Sequence, residues 1–271
     1  MAQKKFIWIV WFGFLLWVMT PRMAMAKEGD IDASDPTRVY SWAGGGLKYT
    51  DYTNGEEMWE VRATGNIGIS DQDMVLFEAG YGWHSGDLVE GDNSALTNGR
   101  ARWFHVFGMD YTVTQGYRGW ATQIDLQIAG ALKGTDGQNT LAVGALPAFG
   151  INGNWSFYLA ANVVNTWDKN FDHYNGLGLG IAPLIAYVPD GWWPGAYLQI
   201  WPNYTKFVSG DLSGEGAGNL DFTIGGSITP TIFWGVTYQE NFDEDLRSYR
   251  QGKDTGLTND WNIFFNITTY F

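Results

Sequence analysis

The chain has 271 residues, 17% of them aromatic, with 15 tryptophans, 36 glycines and a formal charge of −13. It contains no cysteine, which excludes disulfides, thiolate metal sites and cysteine nucleophiles. The acidic balance argues against nucleic acid as a partner, because that binding rests on neutralising phosphates with Lys and Arg.

In chain order, residues 1–26 read as a secretory signal peptide. Lys4 and Lys5 form a basic start, Phe6 to Met19 an apolar stretch, and Ala24-Met25-Ala26 a small-residue cleavage site. A membrane-anchoring helix is the alternative, but an apolar run of about 14 residues falls short of the roughly 20 that span a bilayer. Residues 27–37 are polar and acidic; they are expected to be a periplasmic lead-in, too short for a plug domain. No later stretch is long and apolar enough for a helical span.

From Arg38 onward the pattern predicts an all-β protein, a closed antiparallel transmembrane barrel of about 12 strands over residues 38–271. The strand-like runs are 38–51, 57–69, 73–84, 100–113, 117–132, 139–151, 154–166, 174–188, 195–208, 219–229, 231–241 and 259–271. Their connections alternate in character. Ser70-Asp71-Gln72, Thr114-Gln115-Gly116, Asn152-Gly153, Pro189 to Pro194 and Thr229-Pro230 are short. Between them come Tyr52–Glu56, Ser85–Gly99, Lys133–Gln138, Trp167–His173, Ser209–Gly218 and Phe242–Asn259, which are longer or more polar. Short periplasmic turns and long external loops are the habit of outer-membrane barrels. An even strand number then puts both ends of the barrel domain on the periplasmic side.

Within the strands one face is apolar and the other polar. In the fifth, Trp120, Ile124, Leu126 and Ile128 alternate with Gln123, Asp125 and Gln127. In the last, Trp261, Ile263, Phe265, Ile267 and Phe271 alternate with Asn262, Asn266, Thr268 and Tyr270, with Phe264 the one apolar residue on the polar side. A strand ending in Phe resembles the carboxyl-terminal signature of bacterial outer-membrane barrels, which implies export to that membrane. His105 falls on the outward parity of the fourth strand, which calls for a bulge or an off-centre depth.

The inward parity collects the candidate functional residues. Lys48, Glu60, Arg62, Glu78, Arg102, Asp110 and Asp125 are expected to set a charged constriction. A structural ion-pair network is the other reading of the same residues. Strands six to nine offer a wall of small residues from which Tyr158, Tyr197, Gln199 and Trp201 project, a slot for a flat or apolar solute or a packed lumen.

Pro183 to Trp193, Tyr197-Leu-Gln-Ile-Trp-Pro-Asn203 and Gly218 to Gly226 resemble the "transporter" barrels of meta-pathway phenol-degradation operons. The likeness spans about residues 150–271. It implies passage of hydrophobic or aromatic compounds and carries over no ligand residue. Outer-membrane phospholipases resemble the chain in length and strand count. However, His84 and Ser85 are adjacent here, so a regular strand points them to opposite faces.

The expectation is therefore a passive channel for a small solute in the outer membrane of a Gram-negative bacterium, without cofactor, metal or enzymatic activity. Its partners would be outer-membrane lipid and lipopolysaccharide. The alternatives are a closed structural or adhesive barrel that binds lipopolysaccharide or a partner through its loops, and a lipid hydrolase. Asp243, Glu244, Asp245, Arg247, Arg250 and Lys253 in the last loop read as a solvated, self-pairing surface, with a cation site the lesser reading.

Overall fold

In a computed structural model, residues 31–53, 55–85, 93–132, 135, 137–242 and 259–271 are described. The signal-peptide reading of 1–26 and the charged stretch of the last loop lie outside them.

Twelve strands follow one another: β1 (Trp42–Tyr52), β2 (Glu57–Gly68), β3 (Asp73–His84), β4 (Ser94–Phe107), β5 (Gly116–Ala129) and β6 (Gln138–Gly150), then β7 (Trp155–Asp168), β8 (Tyr174–Tyr187), β9 (Tyr197–Ser209), β10 (Gly216–Thr229), β11 (Ile232–Phe242) and β12 (Asn259–Tyr270). Each pairs antiparallel with its sequence neighbours, and β1 closes on β12, with Trp42 opposite Tyr270 and Lys48 opposite Phe264. Closure removes the exposed edge that an open sheet would leave. One end of the barrel carries the short turns and the start of β1; we call it the turn end, and the opposite one the loop end.

The outer surface is apolar. Val61, Ile124, Val143, Leu179, Ile263 and Phe265 stand exposed on it, the surface that a barrel presents to hydrocarbon. Aromatic rings mark two levels. Toward the loop end Tyr49 packs on Trp59 and Trp261. Toward the turn end Phe107 stacks on Trp120, Trp155 on Tyr187 and Trp193 on Trp234. His105 belongs to this second level: its Nδ1 lies 2.8 Å from Asp73 Oδ1 at the first residue of β3. Its outward parity follows from depth, since the bulge in the β3–β4 pairing lies elsewhere, at Gly80/Tyr81.

Strand four is displaced from its expected position. It begins at Ser94, where the small polar residues look like loop in sequence, and ends at Phe107, before Gly108 at φ 53°. That backbone conformation suits glycine and breaks the extended run. Strand one likewise begins at Trp42, leaving 31–41 outside the wall.

Two seams in the wall are incomplete. The β8–β9 ladder is interrupted between Ile181↔Tyr204 and Ile185↔Ile200, and continuing that register sets Pro183 opposite Pro202. Neither proline has an N–H to give, so the sheet loses its cross-strand bonds there. A smaller interruption in β6–β7 falls at Pro147, between Ala145↔Ala161 and Ala148↔Tyr158.

Candidate functional site: the lumen

The lumen divides into two halves. Toward the loop end the inward side chains of β2 to β5 form a ladder of charge. Arg62 Nε lies 2.5 Å from Glu60 Oε1. Glu78, directly opposite Arg100 in register, takes that guanidinium at 3.5 Å and Arg62 at 4.0 Å. Arg100 and Arg102 both donate to Asp125, each through Nη2 at 2.7 Å. Alternation brings these groups to one face, and antiparallel register puts opposite charges side by side. Arg62 also stands over the ring of Phe264, 5.6 Å from its centre, which accounts for the apolar residue on the polar face of β12.

The polar belt continues round the other side. Gln239 Nε2 and Asn219 Nδ2 donate to Asp221 Oδ1, and Asn262 Nδ2 donates to Gln239 Oε1. Gln123 Nε2 donates to Asn162 Oδ1 across β5, β6 and β7. This belt surrounds a cavity of about 540 Å³ lined by Lys48, Glu60, Arg62, Arg100, Trp201 and Asp221 among others, with Thr135 and Asn259 at its loop-end side. A second space of about 190 Å³ adjoins it beneath β6, β7 and β10.

The turn-end half is filled. Leu146, Ala148, Tyr158, Ala160, Ala182, Leu184 and Ala186 form one buried cluster, and Met74, Phe104, Val106 and Ala121 a second, with Val39 and Met109 packed against it. Part of the small-residue wall anticipated on strands six to nine is here, at Ala148, Ala160 and Ala182. What it makes room for is the chain's own segment 31–41, in which Ser34, Asp35, Thr37 and Ser41 are all buried. Gln199 Nε2 donates to the Ser34 carbonyl at 2.8 Å, and Tyr111 Oη to the Thr37 carbonyl at 2.8 Å. Asn66 Nδ2 donates to the Tyr40 carbonyl, Tyr158 reaches the Asp35 carboxylate, and Tyr40 meets the edge of Tyr270. Partners on β2, β7, β9, β12 and the β4–β5 turn surround the segment, so it crosses the inside of the barrel. Burial pushes the Asp35 carboxyl above its ordinary range, Asp32 nearby adds to this, and hydrogen bonds from Thr37 partly offset it. Burial likewise pushes the Tyr111 hydroxyl up to about 12.

Of the residues expected at a constriction, Glu60, Arg62, Glu78, Arg102 and Asp125 come together in the ladder, and Lys48 faces the same cavity. Asp110 does not. It lies beyond the end of β4 in an exposed turn, where its carboxylate accepts from Thr112, because Gly108 has already ended the strand. Of the expected solute path, only Trp201 borders the cavity. Tyr158 and Gln199 are engaged by segment 31–41, and Tyr197 is folded into space that a Cβ on Gly225 would occupy, 2.4 Å from its ring. Those three side chains therefore support the chain itself and do not border open space. Of the stretch expected as a periplasmic lead-in, residues 31–37 therefore lie inside the barrel. Contacts spread round the circumference hold even a short segment inside. Asp221 and Gln239 belong to the polar parity of β10 and β11, yet only the closed wall shows that they complete the belt.

His84 and Ser85 point apart. The His84 side chain is buried beside Glu56 at 3.5 Å, whereas Ser85 is exposed and its Oγ donates to the Glu57 carbonyl. Among the described residues no group of acids and histidines is arranged to hold a metal ion.

No family model matches the chain, and no curated protein matches it in sequence. Solved structures do match in fold. The COG4313 outer membrane channel from Pseudomonas putida F1 superposes with a TM-score of 0.54 at 12% identity, over 91% of this chain and 100% of that one. The NanC porin gives 0.53 at 10% identity, over 85% and 99%. The KdgM porin in complex with disordered oligogalacturonate gives 0.52 at 8% identity, over 84% and 99%. The chain thus has the fold of Gram-negative outer-membrane channel barrels, closed by twelve antiparallel strands.

Proposed function

We propose that the protein is an outer-membrane channel for passive passage of a small solute. The observation that carries this is the cavity of about 540 Å³ inside a lipid-facing barrel, ringed by hydrogen-bonded polar and charged side chains. A barrel that served only as an adhesive scaffold has no need of a polar chamber in its upper half, since an apolar filling would stabilise it as well. The charge ladder then has two roles, propping the wall and presenting a polar constriction. Segment 31–41 narrows the periplasmic side, so the resting conductance is expected to be small.

Planar-bilayer recording tests this. Removal of residues 31–41 should raise single-channel conductance several-fold, and Arg62→Ala should change ion selectivity. If neither the whole barrel nor the shortened one conducts, the closed structural or adhesive barrel is the better account.

The lining of the cavity favours a polar solute over the hydrophobic or aromatic one that the phenol-pathway likeness implies. One observation supports the apolar alternative: the interruption at Pro183 and Pro202, where a solute has a weak seam toward the bilayer. Replacing both prolines with valine restores the missing donors. Unaltered entry of an aromatic compound into cells carrying that variant would remove the side exit.

A further inference from the structure

The lumen's charges are unequal in their circumstances. Arg62, Arg100 and Arg102 are matched by Glu60, Glu78 and Asp125 in the ladder. Lys48 and Asp221 both face the same cavity and attract one another across it, and Glu60 stands opposite Lys48 in the β1–β2 register, yet among the described residues neither has an opposite charge within 4.0 Å. Asp221 has amide donors, Asn219 and Gln239, but no cation. Directly across from Asp221 in the β9–β10 register stands Trp201, which also borders the cavity and whose indole Nε1 is buried with no acceptor in the protein. A carboxylate beside an indole ring is a setting for an organic ammonium group, which both attract. Lys48 is the complementary setting for a carboxylate.

The two settings lie on β1 and β10, which are separated by β11 and β12 in the wall. At about 4.8 Å per strand spacing the backbones are roughly 14 Å apart along the wall, and both side chains reach inward from there. A solute of two extended residues spans about 7 Å, the size class that two side chains converging from that separation take between them.

Resting on the channel reading above, we propose that the cavity selects zwitterionic solutes of dipeptide size, with the solute's ammonium at Asp221 and Trp201 and its carboxylate at Lys48. Such a solute compensates both unmatched charges at once. A singly charged one meets a like charge at one end, and a neutral polar one compensates neither.

Liposome swelling separates these cases with three probes of similar size: glycylglycine, uncharged N-acetylglycinamide and anionic N-acetylglycine. For the unaltered barrel, glycylglycine should enter roughly threefold or more faster than either. Lys48→Met and Asp221→Asn should each bring that ratio to about one while N-acetylglycinamide entry stays within roughly twofold. Equal rates for the three probes in the unaltered barrel, or a preference that survives both substitutions, would overturn the proposal and leave the channel standing. If no probe enters at all, the channel reading fails by itself. Equilibrium dialysis of glycylglycine against the detergent-solubilised barrel then decides the site. Saturable binding lost in both variants supports it, and no binding overturns it.

Discussion

The two halves of the lumen solve the same packing problem in opposite ways. At the loop end an interior too wide for its side chains to fill is held by charge, with three arginines laced to three carboxylates across β2 to β5. At the turn end the wall carries Ala121, Ala148, Ala160, Ala182 and Ala186 among larger apolar side chains, and the space is filled by Tyr158, Met109 and the chain's own residues 31–41. Charged side chains leave a polar cavity because each must keep its partners and its hydration. Apolar ones close on each other and leave none. The polar chamber and the seal below it are therefore consequences of which residues point inward at each depth.

Substitution breaks this contrast most strongly in the ladder. Asp125→Ala removes the carboxylate shared by Arg100 and Arg102 and strands two cations in a lumen of limited hydration. A loss of about 3–5 kcal/mol is expected, toward the lower figure because the arginines keep partial contact with solvent. Urea unfolding from liposomes, followed by tryptophan fluorescence, measures it. Leu184→Ala in the turn-end cluster opens a cavity beside Tyr158 and should cost about 2–4 kcal/mol in the same assay. If the two losses come out in reverse order, packing outweighs charge throughout the barrel, and the contrast fails.

The turn end should also respond to pH. Asp35 has a folded-state pKa raised above its unfolded value by burial, so the docked segment binds the proton more tightly than the released one. Docking is therefore strongest when Asp35 is protonated, and it weakens as pH rises through that raised value. Conductance should increase over the same window, whereas Asp35→Asn should make it flat there.

The smallest effect is expected outside the barrel. His173 Nε2 lies 2.7 Å from Asp211 in a pair that is more than half exposed on both sides. Asp211 raises the imidazole's pKa, so its contribution is present below the unfolded value and lost as pH rises through the folded one. Exposed pairs of this kind add little. The melting temperature of His173→Gln should match the parent at pH 8 and fall only slightly below it at pH 5.

How much of this was legible beforehand varies by element. β5 and β12 were readable almost residue by residue, because their alternation is strict and an outward charge would be costly in hydrocarbon. β4 was misplaced because Ser94 to Asn98 has weak alternation and resembles a loop. That shift carried Asp110 into the expected constriction, although it belongs to a turn. The ladder's members were identifiable by parity. Their partners were not, since Arg100 meets Asp125 from a different strand, and its register with β5 pairs it with Gln127.

By itself, then, the sequence determined the medium on each side of the wall. Period-two alternation, together with short and long connections in turn, is a local pattern, and hydrocarbon outside enforces it strand by strand. Only the closed barrel decided what meets inside. Depth, stagger and the strands that face one another across the lumen fix which charges pair and which two stay unmatched. They also fix where residues 31–41 come to rest. Those relations join positions far apart in the chain and leave no mark on any one strand.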